Sequence, residues 1–136
     1  MGDCRQRQIA ATGNAMIDRE HQALAELIEK VHLSSRSQDR DIEIMRALTD
    51  MYLYAKSHFF DEEALMEQLG YPERERHAGL HKDFLARTHD LTDACLEGGL
   101  NIDELAGFLW DWLARHVDEE DARIIAFATA QGRDEF

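Results

Sequence analysis

The run Met51-Tyr52-Leu53-Tyr54-Ala55-Lys56-Ser57-His58-Phe59-Phe60-Asp61-Glu62-Glu63-Ala64-Leu65-Met66-Glu67-Gln68-Leu69-Gly70 carries two messages at once. Its apolar positions, extended upstream through Met45 and Leu48, recur every three or four residues: Met51, Tyr52, Ala55, Phe59, Leu65, Met66, Leu69. That period marks one face of an α-helix. His58 and Glu62 fall on the same stripe, so an imidazole and a carboxylate point into the core that this helix helps to build. Gly70 closes the helix and Pro72 is positioned to open the next.

Three further stripes flank this one. Upstream, Leu24, Leu27, Ile28 and Val31 form a helical face with His21 one turn ahead, Asp18 as the expected N-cap and the Ser-rich stretch from Leu33 to Ser37 as the exit. Downstream, His77, Leu80, His81, Phe84, Thr88, Leu91 and Cys95 keep helical spacing until Gly98-Gly99. Asn101 with Glu104 is a capping signal for a last helix carrying Ile102, Leu105, Leu109, Trp112, Leu113 and His116, with apolar residues continuing at Ile124, Ile125 and Phe127. Short connections between long helices require antiparallel neighbours, so the expected fold is all-α, an antiparallel up-down-up-down four-helix bundle. No repeat, linker or compositional break divides the chain, and residues 1–136 read as a single domain with its bundle core at about 17–131.

Composition narrows the function classes. The chain has 136 residues, enough for a real core, with 44% hydrophobic and 32% charged residues and one proline. A net charge of -13 excludes a nucleic-acid partner and docking on an anionic membrane. The two cysteines, Cys4 and Cys95, have neither disulfide-framework nor thiolate-metal spacing, which points to a reducing, cytoplasmic setting. No secretory signal and no run long enough for membrane insertion is present.

Polar residues on the inward faces carry the chemistry. Five of the seven histidines, His21, His58, His77, His81 and His116, lie on core stripes, with Glu62 among them. A lone inward histidine is ordinarily a hydrogen-bonded core residue. Five with a glutamate strain that account, because each unpaired buried polar group costs about 1–3 kcal/mol and a buried carboxylate more. Metal ions satisfy all of them together, and imidazole with carboxylate is the ligand set of non-haem iron. After His116 an acidic run, Asp118-Glu119-Glu120-Asp121, offers one more carboxylate. On a straight helix Glu120, four residues on, shares the face of His116, whereas Asp121 lies about 140° off it. Spacing therefore favours Glu120. His89 lies off the inward stripe and His32 near the loop, so both read as surface or supporting residues.

The chain resembles the hemerythrins, and among them the bacterial hemerythrin-like domains. The matching words are Ile17-Asp18-Arg19-Glu20-His21, His58-Phe59-Phe60-Asp61-Glu62-Glu63 with Met66, Gly70-Tyr71-Pro72, His77-x3-His81 with Phe84, and Trp112-Leu113-x2-His116-Val117-x3-Asp121, from about residue 17 to 121. The resemblance implies Asp121, since the family pattern is H-x4-D. It implies two iron ions (Fe2+/Fe3+) with an oxo or hydroxo bridge: His77, His81 and His116 saturating one, His21 and His58 on the other, and Glu62 and Asp121 bridging. In this family O2 binds end-on at the open iron as hydroperoxide, inside an apolar pocket for which Phe59, Leu113 and Val117 are the candidates here. One departure stands out. Many relatives carry a tryptophan ahead of the first helix, where this chain has Arg5-Gln6-Arg7-Gln8-Ile9-Ala10, so the open iron is expected to be more accessible.

The expected function is that of a non-haem di-iron O2-binding protein and not an enzyme. Nitric oxide or azide-like anions are alternative ligands. The alternative is an O2- or redox-sensing domain of a larger signalling protein with a C-terminal output module, suggested by the apolar stretch from Ile124 to Ala130. A ferritin-like oxidase needs two E-x-x-H pairs, and only Glu29-x2-His32 exists. A zinc hydrolase needs H-E-x-x-H, which is absent.

Overall fold

The computed structural model describes residues 9–34, 40–99 and 101–132. Cys4, the segment Arg5–Gln8, the Ser35–Ser37 loop and the terminal Glu135-Phe136 lie outside the described residues. Helix α1 spans Ala15–Leu33, α2 Arg40–Leu69, α3 Arg74–Leu96 and α4 Ile102–Arg115; a π-helical turn, His116–Asp121, then leads into α5, Ala122–Ala130. Among the described residues none is long and apolar enough to cross a membrane. Helix α1 packs on α2 and α4, and α3 packs on the same two, which closes an antiparallel up-down-up-down four-helix bundle.

The helix ends follow from local chemistry. Asn14, not Asp18, caps α1: its side chain accepts a hydrogen bond from the Ile17 amide at 2.9 Å. Asp18 is one turn inside, where its carboxylate accepts from the Thr12 amide and hydroxyl, both at 2.7 Å, and from the Gly13 amide at 3.1 Å. It secures the approach to the helix instead of starting it. At the end of α2, Gly70 takes φ +69°, and the amides of Gly70 and Tyr71 return to the carbonyls of Glu67 and Met66. This is a Schellman closure, with Tyr71 and Met66 buried in the same apolar cluster. Pro72 sits in the turn ahead of α3, not at its first position. Asn101 caps α4, its Oδ1 accepting from the Glu104 amide at 2.8 Å, and its side-chain amide donates to the Glu104 carboxylate, also at 2.8 Å.

Burial corrects the stripes in detail. Met45 is exposed and Ile44 is buried in its place. Trp110 is fully buried beside Leu109, because α4 is apolar over a face broader than one row. Along α1, along α2 and from α4 into α5 an apolar segment is followed by inward polar residues and then by apolar ones again, while α3 starts at the polar level with His77 and continues apolar. One cluster contains Leu24, Leu48, Phe59, Phe84, Leu109 and Leu113; a smaller one contains Ile17, Leu65, Met66, Tyr71, Ile124 and Ala128. His21 falls between Ile17 and Leu24, and the other inward polar groups fall at the matching level of their own helices. The core is thus two apolar blocks with a polar layer between them.

Candidate metal centre

The polar layer consists of His21, His58, Glu62, His77, His81, His116 and Asp121, each no more than 4% exposed. Their donor atoms form two overlapping groups, Glu62 with His77, His81 and His116, and Glu62 with His21, His58 and Asp121. Glu62 belongs to both. Its Oε1 faces the Nε2 atoms of His77, His81 and His116 at 2.6, 3.0 and 3.4 Å, while its Oε2 lies 3.4 Å from Nε2 of His58. Asp121 is divided in the same way. Its Oδ1 is 3.2 Å from Nε2 of both His77 and His116, and its Oδ2 is 2.9 Å from Nε2 of His21. Each carboxylate spans the gap between a three-histidine side and a two-histidine side.

The inclusion of Asp121 has a backbone cause. Residues His116–Asp121 form a π turn, whose i→i+5 hydrogen bonds bring the fifth residue after His116 round to the same face. A straight α-helix would bring Glu120 there; instead Glu120 points outward to Arg76. Periodicity of 3.6 could not have selected Asp121, because the local period is not 3.6.

Two glutamates that sequence reasoning gave no role hold the outer edges of the rings. Glu20 accepts the Nδ1 hydrogen of His58, and Glu63 that of His81, each at 2.8 Å. An occupied Nδ1 leaves Nε2 as the inward donor and fixes the ring plane. Neither could be read from its own helix, since Glu20 is on α1 and serves a histidine of α2, and Glu63 on α2 serves one of α3. Aromatic faces fix two rings further. Phe59 stacks on His81 with centroids 3.9 Å apart, and Trp112 on His116 at 4.3 Å. Phe59, Leu113 and Val117 all lie in the apolar block beside the layer. The remaining histidines stay outside: His32 is 3.1 Å from Asp103 and His89 is exposed beside Asp93.

The electrostatics show what the cluster needs. Burial pushes His58 and His77 towards neutrality, but hydrogen bonds and charge from Glu20 and Glu62 on one, and Asp121 and Glu62 on the other, outweigh it and lift both to about 9. His116 is raised against burial by Asp121 and Glu62. Burial pushes Glu62 up, yet His116, His58, His77 and His81 hold it well below the usual carboxylate range. Asp121, pushed up by burial and by Glu62, is held down by His116, His21 and His77. The carboxylates therefore demand positive charge, which protons or cations can supply. Geometry favours cations. Nε2 of His21, Nε2 of His58, Oε2 of Glu62 and both carboxylate oxygens of Asp121 are buried with no aligned hydrogen bond, although several lie close to one another. Nε2 of His81 and Nε2 of His116 converge to 3.1 Å. Orphaned donors aimed at shared points, all imidazole or carboxylate, fit two divalent or trivalent ions of the iron type.

Comparison with known proteins agrees with this chemistry. A family model described as the hemerythrin HHE cation binding domain matches residues 12–128. A bacteriohemerythrin of Pseudomonas aeruginosa (strain LESB58) is 32% identical over 111 residues, covering 82% of this chain and 72% of that protein. One from Campylobacter jejuni (serotype O:23/36, strain 81-176) is 23% identical over 121 residues, covering 88% and 91%. The crystal structure of a wild-type hemerythrin shares the fold with a TM-score of 0.73 at 24% identity, over 82% of this chain and 86% of that one.

Proposed function

The chain belongs to the hemerythrin family, non-haem iron proteins that bind oxygen, and from that premise we propose that it is a reversible O2-binding protein with a two-iron centre. The observation that carries this reading is the division of seven buried side chains into a three-histidine and a two-histidine group that share Glu62. In the proposal His77, His81 and His116 hold one ion, His21 and His58 the other, and Glu62 and Asp121 lie between them. Two iron ions held there would supply the electrons for O2 binding and an open coordination position on the two-histidine side.

The chain's own residues do the rest. Glu20 and Glu63 keep His58 and His81 in the tautomer that presents Nε2 inward. The two carboxylates balance the charge of the ions in a site closed to water. Phe59, Leu113 and Val117 form an apolar wall that withholds protons and bulk solvent from a bound ligand. We take the whole chain as one unit of this kind. The sensing alternative drew on the apolar stretch after the last ligand. There Ile124 and Ala128 are buried in the bundle's own core and Phe127 meets Tyr71 with centroids 5.5 Å apart, so packing within the chain accounts for these residues.

The test is the optical spectrum of anaerobically reduced, iron-loaded protein before and after O2 is admitted. Charge-transfer bands that appear with O2 and vanish on deoxygenation support the proposal. Iron binding without any O2-dependent band would overturn it, and nitric oxide or azide added in parallel would report whether an open position exists at all.

A further inference from the structure

Glu120 is the carboxylate that ordinary helical spacing selects, and the fold keeps it out of the centre. It accepts two hydrogen bonds from the Arg76 guanidinium, Nη1 to Oε1 at 2.7 Å and Nη2 to Oε2 at 3.0 Å. Such a two-point pair fixes direction as well as distance. The Arg76 side chain is 48% exposed but that of Glu120 only 12%, so the carboxylate is held against the protein. Arg76 precedes His77 in the first turn of α3, and Glu120 precedes Asp121 at the end of the π turn. The pair thus joins the two stretches whose next residues, His77 and Asp121, approach to 3.2 Å inside.

A π turn is less favourable than the α-helix it interrupts. If residues 116–121 relaxed to the α register, Glu120 would move onto the face of His116 and Asp121 would turn away. Two adjacent carboxylates compete for one inward position, and one of them has a guanidinium waiting outside. We propose that Arg76 is a positioning residue: by sequestering Glu120 on the outer face it removes the competing carboxylate and lets Asp121 occupy the centre. This rests on the reading of Asp121 as a metal ligand.

The experiment measures ferrous-ion affinity, by competition with a chelator, on the iron-loaded full chain, together with amide exchange across residues 116–122. Arg76→Ala is expected to weaken iron binding roughly 10-fold and to speed exchange in the turn. Glu120→Ala removes the ion pair and the competitor together, so its loss of affinity is expected to be several-fold smaller than that of Arg76→Ala. The deciding comparison is Asp121→Ala with and without Arg76→Ala. With Arg76 gone, the freed Glu120 takes the vacated position and the double variant binds iron several-fold more tightly than Asp121→Ala alone. An ion pair that only adds stability gives the opposite result: equal losses from Arg76→Ala and Glu120→Ala, and a double variant no better than the single one. Either finding overturns the proposal. Wild-type affinity in Asp121→Ala would instead sink the ligand reading itself, which the single variant reports independently of Arg76.

Discussion

His116 and Asp121 stand five residues apart, yet Nε2 of one and Oδ1 of the other meet at 3.2 Å inside the bundle. The π turn between them converts a spacing that points two ways on an α-helix into one that converges. It also puts a carboxylate from beyond the fourth helix opposite the one from the second, so that Asp121 and Glu62 both reach His77 and His116 and both belong to the group that holds His21 and His58.

Glu62 is the residue on which both halves of the cluster depend. Glu62→Ala should therefore abolish the two-ion site, not halve it. Metal analysis after reconstitution is expected to find less than one iron per chain, and the rise in melting temperature that loading gives the parent should disappear. Full loading of this variant would show that the two groups bind independently.

The raised histidines set a pH window. His58 and His77 titrate at about 9 in the folded metal-free chain against about 6.5 when unfolded. A folded value above the unfolded one contributes stability that is complete below about 6.5 and is lost as pH rises through 9. Denaturant melts of the metal-free protein should accordingly show falling stability between those limits, with the iron-loaded protein much flatter. Loading at pH 7 should release the Nε2 protons of His58 and His77, with a further contribution from His116, measurable in weakly buffered solution, because ligating nitrogens must be unprotonated. Loading without proton release would contradict this account.

Glu20 and Glu63 make equal 2.8 Å contacts, but the Glu20 side chain is 15% exposed and that of Glu63 42%. Glu20→Gln is therefore expected to cost roughly 10- to 100-fold in metal affinity, and Glu63→Gln towards the lower end of that range. Titration with a metal chelator would order them, and a larger effect at Glu63 would mean that burial is not what governs the contact.

Ile9 is half-buried against the apolar block that contains Leu113 and Val117. A larger ring there should cover that side of the centre more fully. Ile9→Trp is expected to slow autoxidation of the oxygenated protein several-fold; equal rates in the two proteins would separate this segment from ligand protection.

The bundle and six of the seven inward polar residues were legible because helical period, capping and glycine stops all act locally, within one helix. His58 and Glu62 are the plainest case, since four residues on α2 put both on the face of Ala55 and Phe59. Asp121 was not legible from period alone, because its direction depends on hydrogen bonding that departs from the α pattern; there the family resemblance supplied the residue and the π turn its cause. Glu20, Glu63 and Arg76 were opaque for a different reason. Each acts across a helix boundary, on a partner 38, 18 and 44 residues away, and the register of neighbouring helices is fixed by packing that no single stripe encodes. Trp110 escaped because a broad apolar face leaves the choice of the inward indole to its neighbours.

The polar layer separating two apolar blocks also bears on how the molecule comes apart. The block of Ile17, Leu65, Met66, Tyr71 and Ile124 is the smaller, and it is joined to the larger one through charged groups instead of continuous hydrocarbon contact. Without iron, the smaller end is expected to fray first, so that amide protection falls in two steps along α1, along α2 and from α4 into α5. With iron, one ion cluster would tie together α1, α2, α3 and the π turn that follows α4, and the two steps should merge. Metal uptake would then act on the unfolding mechanism itself, turning two loosely coupled ends into a single cooperative unit.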